Sequence, residues 1–260
     1  MKLEYIDEGK GEVIVFVHSY LWDKEMWRPQ VEHLKEKYRC ISIDLPGHGD
    51  SSNLENIGSN EVISSISLAI SELLSNLNIN SYTYIGLSIG GMLAIPLYRI
   101  DKKKIKKMII MDSYLGEEKK VTKISYSNIL AQVEKNKKIS SRVAEEIVPL
   151  FFSKQLLNIK HDLYRKFFSK LINIEESRIE TIVKIGKAIN NRKNFLEELK
   201  TVEVPMVFIA GEYDIPRPFS ESEEMFNLKK DSLLFKIKDA GHISNLENIV
   251  DVNSILDKIL

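Results

Sequence analysis

The chain has a single cysteine in 260 residues, Cys40, so no internal disulfide can form. Cys40 sits in Tyr38-Arg39-Cys40-Ile41-Ser42-Ile43, which reads as a buried strand and suits a reducing compartment. Net charge is also missing: 37 basic side chains balance 37 acidic ones, which leaves no bulk field to recruit nucleic acid or an anionic membrane. No apolar run is long enough to span a bilayer, and Met1-Lys2-Leu3-Glu4-Tyr5 lacks the charged-then-apolar pattern of a signal peptide. A cytoplasmic location is expected. There is no His-Glu-x-x-His string, no cysteine pair and no Gly-rich phosphate cradle, so neither a metal nor another cofactor is expected. Internal repeats and low-complexity segments are absent too. The dense basic run Lys102–Lys107 reads as a solvated helix end leading into a strand.

Up to about residue 115, short apolar runs alternate with helical patterns, as in strands joined by crossover helices. Val13-Ile14-Val15-Phe16-Val17 is unbroken and mostly β-branched, as a strand buried on both faces should be. Further strands are expected at Leu3–Ile6, Ile41–Ile43, Tyr82–Leu87 and Lys107–Met111. Asn60 is a plausible N-cap for the stripe Val62, Ile66, Ala69, Leu73 and Leu77. From Gly116 to Leu199 strand-like runs vanish and helical stripes follow one another, such as Val143, Ile147, Leu150 and Phe151, which marks a helical insertion. Strand character resumes at Val204–Ile209 and Leu233–Phe235. An amphipathic helix through Val252, Ile255, Leu256 and Ile259 ends the chain.

Chemistry is concentrated in Gly86-Leu87-Ser88-Ile89-Gly90, between a strand and a helix. A serine on so tight a turn is lifted clear of the sheet beside the first N–H groups of the helix. Its hydroxyl needs a base. Of five histidines, His33 and His161 fall in helical surroundings and His18 and His48 at a strand end and a turn, whereas His242 lies in the loop between the last strand and the last helix. An acid must orient that base. Asp214 follows the strand Val204–Ile209, and Asp112, after Met108–Met111, is its rival; Asp44 reads as a structural turn residue.

These segments together resemble the α/β-hydrolase superfamily over nearly the whole chain. The likeness rests on His18-Ser19, on Asp44-Leu45-Pro46-Gly47-His48-Gly49-Asp50-Ser51, on the elbow around Ser88, on Gly211-Glu212-Tyr213-Asp214 and on Gly241-His242. The order serine, acid, histidine is also that family's. The resemblance implies a mostly parallel eight-stranded α/β sheet flanked by helices, with residues 1–115 and 200–260 as its core and 116–199 as a helical lid. It implies an oxyanion hole from the backbone N–H groups of Ile89 and Tyr20. Ser19 stands where the family usually has glycine, and would be strained if that position requires positive φ.

The expected activity is hydrolysis of a small-molecule carboxylic ester through an acyl-enzyme on Ser88, with His242 as base and Asp214 as orienting acid. Leu21, Trp22, Leu87 and Ile215, with lid aromatics among Phe151, Phe152, Phe167 and Phe168, would make an apolar pocket. Gly86–Met92 with Met26-Trp27 and Gln30 resembles enol-lactonases, methyl esterases and cofactor-free haloperoxidases alike. Lactone hydrolysis is therefore an alternative, and a non-enzymatic small-molecule-binding protein of the same fold is another.

Overall fold

The computed structural model describes residues 1–54, 58, 61–157 and 161–260. Its described strands form one seven-stranded sheet in the order β1-β3-β2-β4-β5-β6-β7. They are β1 (Tyr5–Glu8), β2 (Glu12–Val17), β3 (Tyr38–Ile43), β4 (Tyr82–Leu87), β5 (Ile105–Met111), β6 (Met206–Gly211) and β7 (Leu233–Ile237). β1 runs antiparallel to β3 and every other pairing is parallel. The family resemblance implied eight strands; the described residues supply seven.

The central strands alternate between two cores because successive side chains leave a strand on opposite faces. Ile14 and Phe16 of β2, Ile109 and Met111 of β5 and Val207 and Ile209 of β6 pack on one face. Val15 and Val17, Met108 and Ile110, and Met206 and Phe208 pack on the other. Burial on both faces is why these runs read as continuous apolar strings.

Strand boundaries moved where another partner took the backbone. The first strand was expected to open at Leu3. Instead the carbonyls of Lys2 and Glu4 accept from Ser52 N and Asp44 N, and Leu3 between them is buried, so pairing with β3 starts only at Tyr5. β6 begins at Met206, after Pro205, which lends only its carbonyl to Met108 N.

Between the strands lie α1 (Arg28–Leu34), α2 (Val62–Asn76), α3 (Ile89–Met92) and α4 (Ala94–Asp101). The proposed cap Asn60 lies outside the described residues. Between β5 and β6 the described residues form helices and no strand: α5 (Lys120–Asn136), α6 (Ser141–Ile147), α7 (Asp162–Ile172), α8 (Glu176–Asn190) and the single turn α9 (Leu196–Leu199). Their apolar faces, through Val133, Val143, Phe167 and Ile182, join the same cluster as Phe16 and Ile209 of the sheet. These helices are thus packed on the sheet's core. After β6 come α10 (Phe219–Leu228), α11 (Ser244–Glu247) and α12 (Ile249–Ile259), the last capped by Asn248 Oδ1 on Asp251 N at 3.2 Å. Among the described residues no helix is long and apolar enough to cross a membrane.

Candidate active site

Ser88 sits between β4 and α3 with φ 56° and ψ −114°, a left-handed conformation that costs a serine about 1–3 kcal/mol. The two flanking glycines are required by contact. A Cβ on Gly86 would lie 2.4 Å from Gly90 C, and one on Gly90 would lie 2.3 Å from Val17 O. The turn is held by Ser88 N donating to Met111 O at 2.9 Å, Ser113 Oγ to Ser88 O at 2.6 Å and Tyr84 Oη to Gly90 O at 2.5 Å.

His242 reaches this serine from the loop after β7. Its Nε2 is 2.9 Å from Ser88 Oγ and its Nδ1 is 2.9 Å from Asp214 Oδ2. With the proton on Nδ1 both bonds are satisfied: the imidazole donates to the carboxylate and accepts from the hydroxyl. All three side chains are buried. The other oxygen of Asp214, Oδ1, accepts from Arg217 N at 2.9 Å. The histidine loop is tied down by Glu247, whose two oxygens accept from Gly241 N at 2.8 Å and from Ser153 N at 2.9 Å.

The rival carboxylate, Asp112, points elsewhere. It accepts from Gly211 N at 2.7 Å and from Ser244 Oγ at 2.5 Å, so it joins the end of β6 to the start of α11. Burial, and then the charge of Asp214, hold its carboxyl well above the usual range. Asp44 is a turn residue, as expected, and takes Lys24 N, Lys24 Nζ and Asp50 N.

The remaining histidines fall into two kinds. His33 pairs with Asp257 at the surface, and His161 accepts from Leu163 N at the start of α7. His18 and His48 are buried beams under the loop that carries Tyr20. His18 Nε2 accepts from Leu45 N at 2.9 Å and His48 Nε2 from Leu21 N at 3.1 Å. Their Nδ1 atoms donate to Ser19 O and Pro46 O. Burial lowers His18 to about 4 and His48 to about 3, so both rings stay neutral acceptors at neutral pH. Ser19 is not strained: the left-handed residue of this loop is Leu21, with φ 68°. Among the described residues, the N–H groups of Tyr20 and Ile89 have no hydrogen-bond acceptor; Ile89 opens α3, where the first N–H groups have no partner within the helix.

Beside Ser88 and His242 lies a cavity of about 120 Å³, lined by Leu21, Met92, Leu130, Phe151 and Ile182 among others. That is space for on the order of ten water-sized groups. Of the four side chains expected in its wall, only Leu21 takes part. Trp22 stacks on Phe167 with ring centroids 4.4 Å apart, because helix α7 covers it. Leu87 is inside the core beneath the elbow, and Ile215 faces outward, 52% exposed. Of the four phenylalanines, Phe151 faces the cavity and meets the His242 ring edge-on at 5.5 Å; Phe152, Phe167 and Phe168 pack in or against the core.

One buried group escaped sequence reasoning altogether. Glu118 accepts from both Arg192 and Arg217, and Arg217, a cavity residue, also approaches Glu221 at 3.5 Å. These two arginines hold the Glu118 carboxyl below its usual range against the pull of burial. Each residue alone reads as a solvated charge, and Glu118 and Arg192 are 74 positions apart, so no local pattern announces the cluster. Among the described residues no group of His, Cys, Asp or Glu is arranged to hold a metal ion.

The family model described as alpha/beta hydrolase fold matches residues 12–249. The chain is 26% identical to 3-oxoadipate enol-lactonase 1 of Acinetobacter baylyi over 90% of its own length and 83% of that protein's. It superposes on a thermophilic esterase from Thermogutta terrifontis with a TM-score of 0.88 at 21% identity, covering 98% of this chain and 92% of the other. For the enol-lactonase from Burkholderia xenovorans the TM-score is 0.85 at 19% identity, with 98% and 95% covered.

Proposed function

The chain belongs to the alpha/beta hydrolase family, and from that premise we propose that it is a serine hydrolase acting on a small carboxylic ester. The observation that carries the reading is the relay Ser88 Oγ to His242 Nε2 and His242 Nδ1 to Asp214 Oδ2, both 2.9 Å, at the wall of a mainly apolar cavity. Ser88 Oγ attacks the ester carbonyl while His242 Nε2 takes its proton. The tetrahedral oxyanion is held by the Tyr20 and Ile89 N–H groups, which have no acceptor to give up among the described residues. The alcohol leaves with the proton from His242, and a water deprotonated by the same ring frees the acid and restores the serine. Asp214 keeps the imidazole in the productive tautomer and stabilises the imidazolium.

The helical block 116–199 is, on this reading, a lid on a core of residues 1–115 and 200–260. Its helices α5, α6 and α8 supply Tyr126, Ile129, Leu130, Val133, Ile147 and Ile182 to the cavity wall. A cavity of this size and polarity suits a short or medium apolar acyl group. A cytoplasmic location remains part of the proposal, in keeping with the lone buried Cys40.

A second reading, opening of a lactone by the same steps, is favoured by the enol-lactonase relative. Both readings need an activated serine. Ser88→Ala should lower turnover by roughly 10⁵–10⁶, with the thermal midpoint kept, judging from losses in other triad enzymes. A variant retaining more than about a tenth of the activity removes the serine mechanism. A panel of matched esters and lactones on the wild type then ranks the two substrate classes.

A further inference from the structure

Tyr20 carries more than a backbone donor. Its hydroxyl crosses from the loop after β2 to the insertion and donates to Ile182 O on α8 at 2.8 Å. The helix makes room for it: a Cβ on Gly186 would lie 2.7 Å from Tyr20 Oη and 2.6 Å from Leu130 Cδ2. Burial raises the phenol above its ordinary range, so it remains a donor at any working pH. On its other side the same loop rests on His48, which accepts Leu21 N–H and meets the Tyr20 ring edge-on at 5.8 Å. Leu21 is left-handed, a conformation that persists only where its surroundings over-determine it. The loop is therefore anchored at two points, one in the core and one on α8.

We infer that Tyr20 is a positioning residue, a strut by which α8 sets the backbone of the oxyanion hole. The inference rests on the oxyanion role given to Tyr20 N–H above. Ile182, Gly186 and Ile189 of α8 also line the cavity. An acyl group filling the cavity thus bears on the helix that holds the strut, and part of its recognition is expressed in kcat rather than in KM.

The test compares wild type, Tyr20→Phe, Gly186→Ala and the double variant, each titrated for active serine with a fluorophosphonate. For Tyr20→Phe, kcat per titrated site on a short ester falls about tenfold, less than the loss of a whole donor, while KM stays within about twofold. Affinity for a boronic acid that mimics the tetrahedral intermediate weakens by the same factor. Gly186→Ala, whose methyl pushes on the hydroxyl, lowers kcat in the same direction. In kcat per titrated site the double variant is no worse than Tyr20→Phe, because the hydroxyl that the methyl would push is gone; the methyl's remaining contact with Leu130 falls on stability, which the titration separates. A role in stability alone would reduce the number of titrated sites and leave kcat per site and boronate affinity untouched. Unchanged kcat per site in Tyr20→Phe, a rise in KM alone, or additive losses in the double variant overturns the strut. Wild-type protein that does not react with the fluorophosphonate refutes the hydrolase reading instead.

Discussion

Replacing Asp214 by asparagine separates the two carboxylates at the strand ends by function. Asp214 Oδ2 is 2.9 Å from His242 Nδ1, and Oδ1 already takes Arg217 N–H. Asparagine must therefore keep its oxygen on Arg217 N and turn its amide nitrogen, a donor, toward Nδ1. Nδ1 then has to accept, the ring proton moves to Nε2, and Nε2 can no longer take the proton of Ser88. The expected loss in kcat/KM at neutral pH is roughly 10²–10⁴, or about 3–5 kcal/mol of transition-state stabilisation. Asp112→Asn meets a different environment. Its amide oxygen can still accept from Gly211 N, and its amide nitrogen can donate to Ser244 Oγ, which accepts as readily as it donates. Neither partner is left unpaired, and a buried carboxyl already held toward its neutral form loses little by becoming an amide. Activity should stay within about threefold of wild type, with stability changed by no more than about 1 kcal/mol. The assay is kcat/KM on one chromogenic ester for the three proteins, with thermal midpoints alongside. The reverse ranking, with Asp112→Asn the more damaged at equal stability, would refute the assignment of the acid.

Phe151→Ala should shift the preferred acyl length while the thermal midpoint moves modestly, since the ring lines the cavity; Phe152→Ala and Phe167→Ala should cost about 3–5 kcal/mol of stability and lower activity on all esters together. Similar acyl-length profiles in all three variants, compared by kcat/KM, would leave Phe151 without a part in selectivity. Acid should destabilise the fold through His18 and His48. Their folded values of about 4 and 3 lie below the ordinary 6.5, so on acidification the unfolded chain takes up protons first. The stability they contribute is complete above about pH 6.5 and falls by up to about 1.4 kcal/mol per pH unit for each ring, down to about pH 4 and pH 3. Urea midpoints from pH 7 to 4.5 measure the slope, and His48→Gln, which removes one of the two groups, should flatten it; an unchanged slope would show that His48 does not titrate in this way.

Features written in short stretches of chain were legible without coordinates. Burial of β2, β5 and β6 on both faces shows as apolar runs, and the elbow shows as a serine between two glycines because contacts of 2.4 and 2.3 Å leave no space for a Cβ. The positions of Ser88, Asp214 and His242 near strand ends could be read for the same reason: Ser88 follows β4 directly, and the other two lie in the loops just after β6 and β7. Strand order and the packing of α5–α9 decided the rest, because they fix distances between residues far apart in sequence. Asp112 and Asp214 look alike along the chain; only the loop after β7 determines which one meets His242 and which meets Ser244. Backbone strain fell on Leu21 rather than Ser19 because His48, from a separate turn, takes the Leu21 N–H. Trp22 and Ile215 left the expected pocket because α7 covers one and the other faces outward, while α5, α6 and α8 closed the wall in their place. Glu118, Arg192, Arg217 and Glu221 became a buried charge cluster only because the segments before α5 and after α8 converge on the loop after β6. Local sequence encodes which backbone a segment can adopt; which side chains then meet depends on how the segments pack.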